Sequence, residues 1–162
     1  MTAGSSRRVN YDAKLAVLVD LYETISVAQS IIFCNTKASV RDIADKLRAE
    51  NFPVTTIHGE MTQADRELAL AEFQKGATRV LVATDIIGRG IDVQQVSCVL
   101  NFELPWEHEA YIHRIGRCTR YGRRGVAINL IAGDDEVRSV RRLEEIYSTE
   151  IRPMPMNVRD YM

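Results

Sequence analysis

The sequence predicts an α/β protein, an open parallel sheet with helices on both faces. Short apolar runs alternate almost without exception with stretches of helical periodicity. The runs are apolar at successive positions, which buries both faces of each strand between helical layers. No internal repeat, low-complexity tract or linker interrupts residues 7–162.

The elements follow in order. Tyr11 to Ile25 places Leu15, Leu18, Val19, Leu21 and Tyr22 on one helical stripe. SIIFCN reads as a buried strand. Lys37 to Glu50 returns to helical spacing through Val40, Ile43, Ala44 and Leu47, and Asn51, Phe52 and Pro53 end it. Val54 to Ile57 is a second strand. Thr62 with Asp65 resembles a capping box opening a helix whose inner face is Leu68, Leu70, Ala71 and Phe73, with Gly76 past its end. RVLVA is a third strand, followed by the loop TDIIGRGID, a strand SCVLNF, a helix near Glu107 to Arg117, and a strand GVAINLI. Asp134 or Asp135 is expected to cap a last helix through Tyr147.

With 162 residues the chain fits one domain, 7–162; MTAGSS, residues 1–6, reads as a disordered or appended leader. No apolar run is long enough to span a bilayer, so no membrane partner is expected. Cys34, Cys98 and Cys118 are odd in number and widely separated, which argues against a disulfide framework or a zinc cluster and fits a reducing compartment. The net charge of -1 means that nucleic-acid binding requires a local patch.

That patch is HRIGRCTRYGRRG, His113 to Gly125, with five arginines and one histidine in thirteen residues. Arginine matches phosphate oxygens with a planar fork of donors. Arg114, Arg117, Arg120 and Arg123 recur every three residues, which would keep them near one face of a helical turn. On charge alone the segment is equally a solvated basic turn. Upstream, ATDIIGRGID sets Asp85, Asp92, Gly88 and Gly90 around Arg89 directly after a strand. Asp92 suits a ribose hydroxyl, Thr84 a phosphate, and Gly90 leaves room for the sugar. HEAYIH places its histidines five apart, which is the wrong spacing for a zinc helix, so no metal site is expected. Trp106 is expected to pack at a strand end, with a partly exposed partner-docking role as the alternative; Cys118 is expected to be structural, and Arg138, Arg141 and Arg142 to be a solvated face, with RNA or partner recognition as the alternative.

Together these segments resemble the C-terminal RecA-like domain of the DEAD-box RNA helicases. IIFCNT is similar to that family's motif IV, Gln63 to Arg66 to its QxxR motif, ATDIIGRGID to motif V and HRIGRCTR to motif VI. IIFCNTK, YIHRIGR, RRGVAINL and MPMNV are most similar to the initiation factor 4A branch and its exon-junction paralogue. The resemblance implies ATP, with Mg²⁺ held mainly by a separate N-terminal RecA-like domain. It also implies Arg117 and Arg120 as arginine fingers, His113 and Arg114 coupling to an acidic motif of that partner domain, and Gly90 and Asp92 on the ATP side. Asn35, Thr36, Gly59, Gln63, Arg66 and Thr84 would contact the RNA backbone without sequence readout. Gly88 stands where the family usually has Ala, and Cys118-Thr119 where it has Thr-Gly or Ser-Gly, which predicts reduced but not abolished turnover.

No GxxxxGK[ST] and no Asp-Glu-Ala-Asp occurs in the sequence. The isolated chain is therefore expected to be inactive, half of an ATPase acting in translation initiation in the cytoplasm. Two other readings remain: a module that binds an α-helical scaffold protein of the initiation factor 4G type, and the nuclear exon-junction paralogue. A small oxidoreductase is disfavoured by the lack of a dinucleotide fingerprint.

Overall fold

The computed structural model describes residues 3–25, 29–88, 96–118 and 125–154. Helix α1 (Ala3–Thr24) is followed by β1 (Ser30–Phe33), α2 (Lys37–Ala49), β2 (Val54–Ile57), α3 (Gln63–Gln74) and β3 (Val80–Ala83). Then come β4 (Cys98–Asn101), α4 (His108–Ile115), β5 (Val126–Asn129) and α5 (Asp134–Tyr147), with single 3-10 turns at Asp85–Gly88 and Gly116–Cys118. The strands form one sheet in the order β2-β3-β1-β4-β5. Every pairing is parallel, with Phe33 level with Ala83 and Asn101, and Ala83 level with Ile57. The predicted open parallel sheet is what the chain forms.

Alternation along the strands explains the two faces. Ile32, Val82 and Leu100 join the apolar stripes of α1 and α2, while Ile31, Phe33, Leu81 and Val99 point to the opposite layer with Phe73 of α3. Leu104, Tyr111 and Leu143 make a smaller core between α4 and α5. β5, at one edge, is the least covered strand.

Helix starts and stops follow local chemistry. Thr36 and Thr62 cap α2 and α3, their hydroxyls accepting from the N–H of Ser39 and Asp65, both at 3.1 Å. α3 ends before Gly76, whose φ of 78° is the left-handed conformation glycine tolerates, and Asn51 plays that part after α2 at 65°.

α1 includes the backbone of Ala3–Ser6. Two expectations differ. Leu68 is 63% exposed, because α3 turns only Phe73 fully inward and leaves Ala69 and Leu70 half-buried against it. The N-cap of α5 is Gly133, whose φ of 87° excludes most side chains, so Asp134 and Asp135 fall in the first turn, where their charge offsets the helix dipole.

Candidate functional site

In a parallel sheet the loops after the strands gather at one edge, and that is where the predicted residues meet. Asn35 and Thr36 follow β1, Gly59 to Arg66 follow β2, Thr84 and Asp85 follow β3, and α4 descends from the loop after β4.

At the centre lies Arg114, 1% exposed. Its Nε–H and one Nη2–H donate to the two carboxylate oxygens of Asp85 at 2.6 and 2.8 Å. A second Nη2–H reaches Asn35 Oδ1 at 2.8 Å, and the Nη1 hydrogens reach Asn101 Oδ1 at 3.2 Å and the Glu103 carbonyl at 2.6 Å. The guanidinium also lies over the Phe33 ring, 5.3 Å from its centroid. Guanidinium carries five N–H donors, and all five are used inside this domain. Within this domain Arg114 ties together the ends of β1, β3 and β4.

Beside it a cavity of about 360 Å³ is lined by Phe33, Asp85, Glu107, Glu109, His113 and Arg117, among others. His113 is exposed and Arg117 half-buried. α4 closes at Ile115 and the chain tightens into the Gly116–Cys118 turn; Arg114 and Arg117 both line the cavity, Arg114 buried and Arg117 half-buried. The even three-residue spacing thus sets these two arginines at different depths. The turn is pinned from two sides: the Val96 N–H donates to the Arg117 carbonyl at 2.8 Å, and Cys118 Sγ lies 3.2 Å from the Val126 carbonyl oxygen. A Cβ on Gly125 would come within 1.5 Å of the Cys118 carbonyl oxygen, so only glycine fits behind the turn. Burial pushes the Cys118 thiol up to about 11, which leaves it inert at neutral pH and fits a structural part. Gly90, Asp92, Thr119 and Arg120 lie outside the described residues.

The expected RNA-contacting residues share the adjoining rim. Asn35 gives its amide to the interior, accepting from Arg114 and donating to the Leu104 carbonyl at 2.9 Å. Thr36 is the exposed cap of α2. Arg66 donates to the Gly59 carbonyl at 2.7 Å, and its Nε is buried without a hydrogen-bond partner. Gln63 is exposed at the first turn of α3, donating to Glu67 at 3.3 Å, and Thr84 is half-buried, its N–H held by the Ile57 carbonyl.

Sequence reasoning missed one feature here and ranked the wrong reading first for another. Lys37, the first residue of α2, pairs with Glu60 in the turn after β2. Trp106, expected to be packed, is 82% exposed on the loop after β4. Its neighbour Pro105 and the exposed Glu107 and His108 turn the loop outward, a geometry that apolar composition alone does not reveal.

Comparison with known proteins agrees with this geometry. Residues 13–122 match the helicase conserved C-terminal domain. The chain is 55% identical over 149 residues to the ATP-dependent RNA helicase eIF4A of Chaetomium globosum, covering 92% of this chain and 37% of that protein, so it spans little more than a third of that relative's length. Among solved structures, the C-terminal domain of the DEAD-box protein Dbp5 superposes with a TM-score of 0.83 at 32% identity, covering 91% of this chain and 86% of that one. S. cerevisiae Dbp5 bound to RNA and ADP BeF3 gives 0.80 at 32%, over 87% of this chain and 38% of that one. A domain-length sequence match and a DEAD-box C-terminal domain sharing the same sheet leave one assignment: this chain belongs to the helicase conserved C-terminal domain family, as a RecA-like C-terminal domain of the DEAD-box type.

Proposed function

We propose that this chain works as the C-terminal half of an ATP-dependent RNA helicase of the initiation factor 4A type, in translation initiation in the cytoplasm. The observation that carries the reading is that Arg114 and Arg117 line one cavity at the strand-end edge, Arg114 buried with its donors engaged and Arg117, one turn on, half-buried at the cavity. In this reading Arg117, with Arg120, meets the γ-phosphate of ATP presented by an N-terminal RecA-like lobe. A guanidinium fixed in advance stabilises charge spreading over the phosphoryl oxygens without reorganising at the moment of reaction. His113, exposed at the cavity, contacts the opposing lobe. Arg114 holds the edge rigid by joining three strand ends, and Gly90 and Asp92 take the ribose side.

ATP supplies the free energy of hydrolysis. Mg²⁺ is carried in this reading mainly by the N-terminal lobe. Single-stranded RNA runs along the rim formed by Thr36, Gly59, Gln63, Arg66 and Thr84, held through phosphates and 2′-hydroxyls, with Asn35 supporting the rim from beneath. The RNA and ADP BeF3 bound to S. cerevisiae Dbp5 support both halves of this reading.

The test combines the chain with the N-terminal RecA-like domain of an eIF4A and measures RNA-stimulated ATP hydrolysis. Arg117→Ala is expected to lower the rate by about 10³-fold with the fold intact. An unchanged rate overturns the finger assignment. A second reading, docking to an α-helical scaffold of the initiation factor 4G type, is favoured by Trp106 alone, since an aromatic this exposed suits a partner's pocket. Scaffold affinity indifferent to ATP and RNA, and lost in Trp106→Ala, is its signature. In the nuclear exon-junction setting the same chemistry would operate on a different scaffold.

A further inference from the structure

The ion pair between Lys37 and Glu60 sits in an odd place. Lys37 directly follows Thr36, and Glu60 lies between Gly59 and Gln63, so each partner is embedded in one arm of the proposed RNA rim. β1 and β2 are not neighbours; β3 runs between them, and the residue after β3 is Thr84. The pair therefore bridges the rim across the strand end that carries its third arm. Both partners are accessible, with 39% and 69% of their side chains exposed.

The surroundings are cationic. His58 and Arg41 both act on the Glu60 carboxyl, which is held below the usual glutamate value first by its hydrogen bond from Lys37 and then by the charge of Lys37. Arg66 stands close enough to act on His58, and its buried Nε has no partner. Glu60 is thus paired with Lys37 and also feels the charge of Arg41. A carboxylate and a phosphate present the same oxygens to such cations. The pair is also replaceable: an exposed ion pair holds with little net free energy, so a phosphodiester can exchange for it.

We propose that Glu60 occupies, in the RNA-free domain, the position of a backbone phosphate on Lys37, and that single-stranded RNA binds by displacing it. This rests on the RNA-binding reading above and extends it in two ways. Lys37 and Arg41 become RNA-phosphate contacts, and Glu60 becomes a built-in competitor that weakens binding and favours release. No bond is made or broken; one anion replaces another on the same ammonium group.

The experiment is a double-mutant cycle on the whole chain, read by fluorescence anisotropy with a labelled oligouridylate of about ten nucleotides at several potassium chloride concentrations. E60Q is expected to tighten binding by about two- to fivefold. K37Q is expected to weaken it and to reduce the slope of log K against log salt by about 0.7, the value for one lost phosphate contact on a single strand. In the K37Q background, E60Q is expected to gain little. R41Q weakens binding without abolishing the E60Q gain. Matching thermal unfolding curves establish that each variant is folded.

Because a general change in net charge would raise affinity equally in both backgrounds, an E60Q gain that persists in full without Lys37 overturns the proposal. So does an E60Q that binds no better than wild type. Wild type that fails to bind the oligonucleotide at low salt overturns the RNA reading, and this proposal with it. Those failures are separable, since only the last is seen before any residue is changed.

Discussion

Two cation–carboxylate pairs stand at the same edge of this sheet, and they do opposite things. Arg114 and Asp85 join α4 to the end of β3 with the guanidinium 1% exposed. Lys37 and Glu60 join α2 to the turn after β2 at the surface, with 39% and 69% of their side chains exposed. A buried charge must have every donor answered or it destabilises the fold, whereas an exposed one can lose its partner to solvent at little cost. Depth, and not charge or spacing, separates the fixed frame from the surface that is free to exchange ligands.

The largest expected effect comes from breaking the buried pair. Arg114→Ala leaves Asp85, Asn35, Asn101 and the Glu103 carbonyl without their shared donor and is expected to cost about 3–5 kcal/mol. Chemical denaturation measures it. Arg114→Lys is expected to recover little, since one ammonium group cannot serve four acceptors along a planar fork. A variant as stable as wild type would mean that the strand ends are held by something else.

Next comes the turn that separates Arg114 from Arg117. Gly125→Ala forces a Cβ against the Cys118 carbonyl and is expected to cost about 1–3 kcal/mol by denaturation. It should also lower RNA-stimulated hydrolysis more than its stability loss explains, because the displaced atoms belong to the turn that aims Arg117. Loss of stability without loss of rate would show the turn to be a passive spacer. On the exposed side, Thr36→Ala removes the α2 cap and is expected to cost about 1 kcal/mol, a smaller change that loosens Lys37 while leaving Arg114 untouched.

The same contrast explains what could be read from the sequence. Alternating strands and helices, the Thr62 cap and the Gly76 stop were all legible, because each depends on residues close in the chain. Asn35, Gly59 and Thr84 follow β1, β2 and β3, an order that was legible for the same reason. The depth of Arg114 was not legible. Its partners Asn35 and Asp85 are 79 and 29 residues away, and a run of arginines at regular spacing gives no sign that the helix will tighten after Ile115. The Lys37–Glu60 pair was hidden likewise, since it requires knowing that β3 inserts between β1 and β2. The Trp106 expectation failed because apolar character was taken for burial at a loop where the chain turns outward.

The smallest expected effect is a pH response at His58, beside the exposed pair. His58 has its pKa lowered from the usual 6.5, first by burial and then by the charge of Lys37, with Arg41 and Arg66 acting the same way and Glu60 opposing. The unfolded chain therefore takes up this proton at a higher pH than the folded chain does. The stability linked to His58 is complete above the ordinary histidine range and declines as pH falls through it toward the lowered value. Denaturation curves from about pH 8 to about pH 5 should show wild type losing slightly more stability than His58→Gln. In K37Q the difference should narrow, because one of the cations opposing protonation is gone. Stability that instead rises as the histidine protonates would place a carboxylate, and not the ammonium of Lys37, in control of this end of the rim.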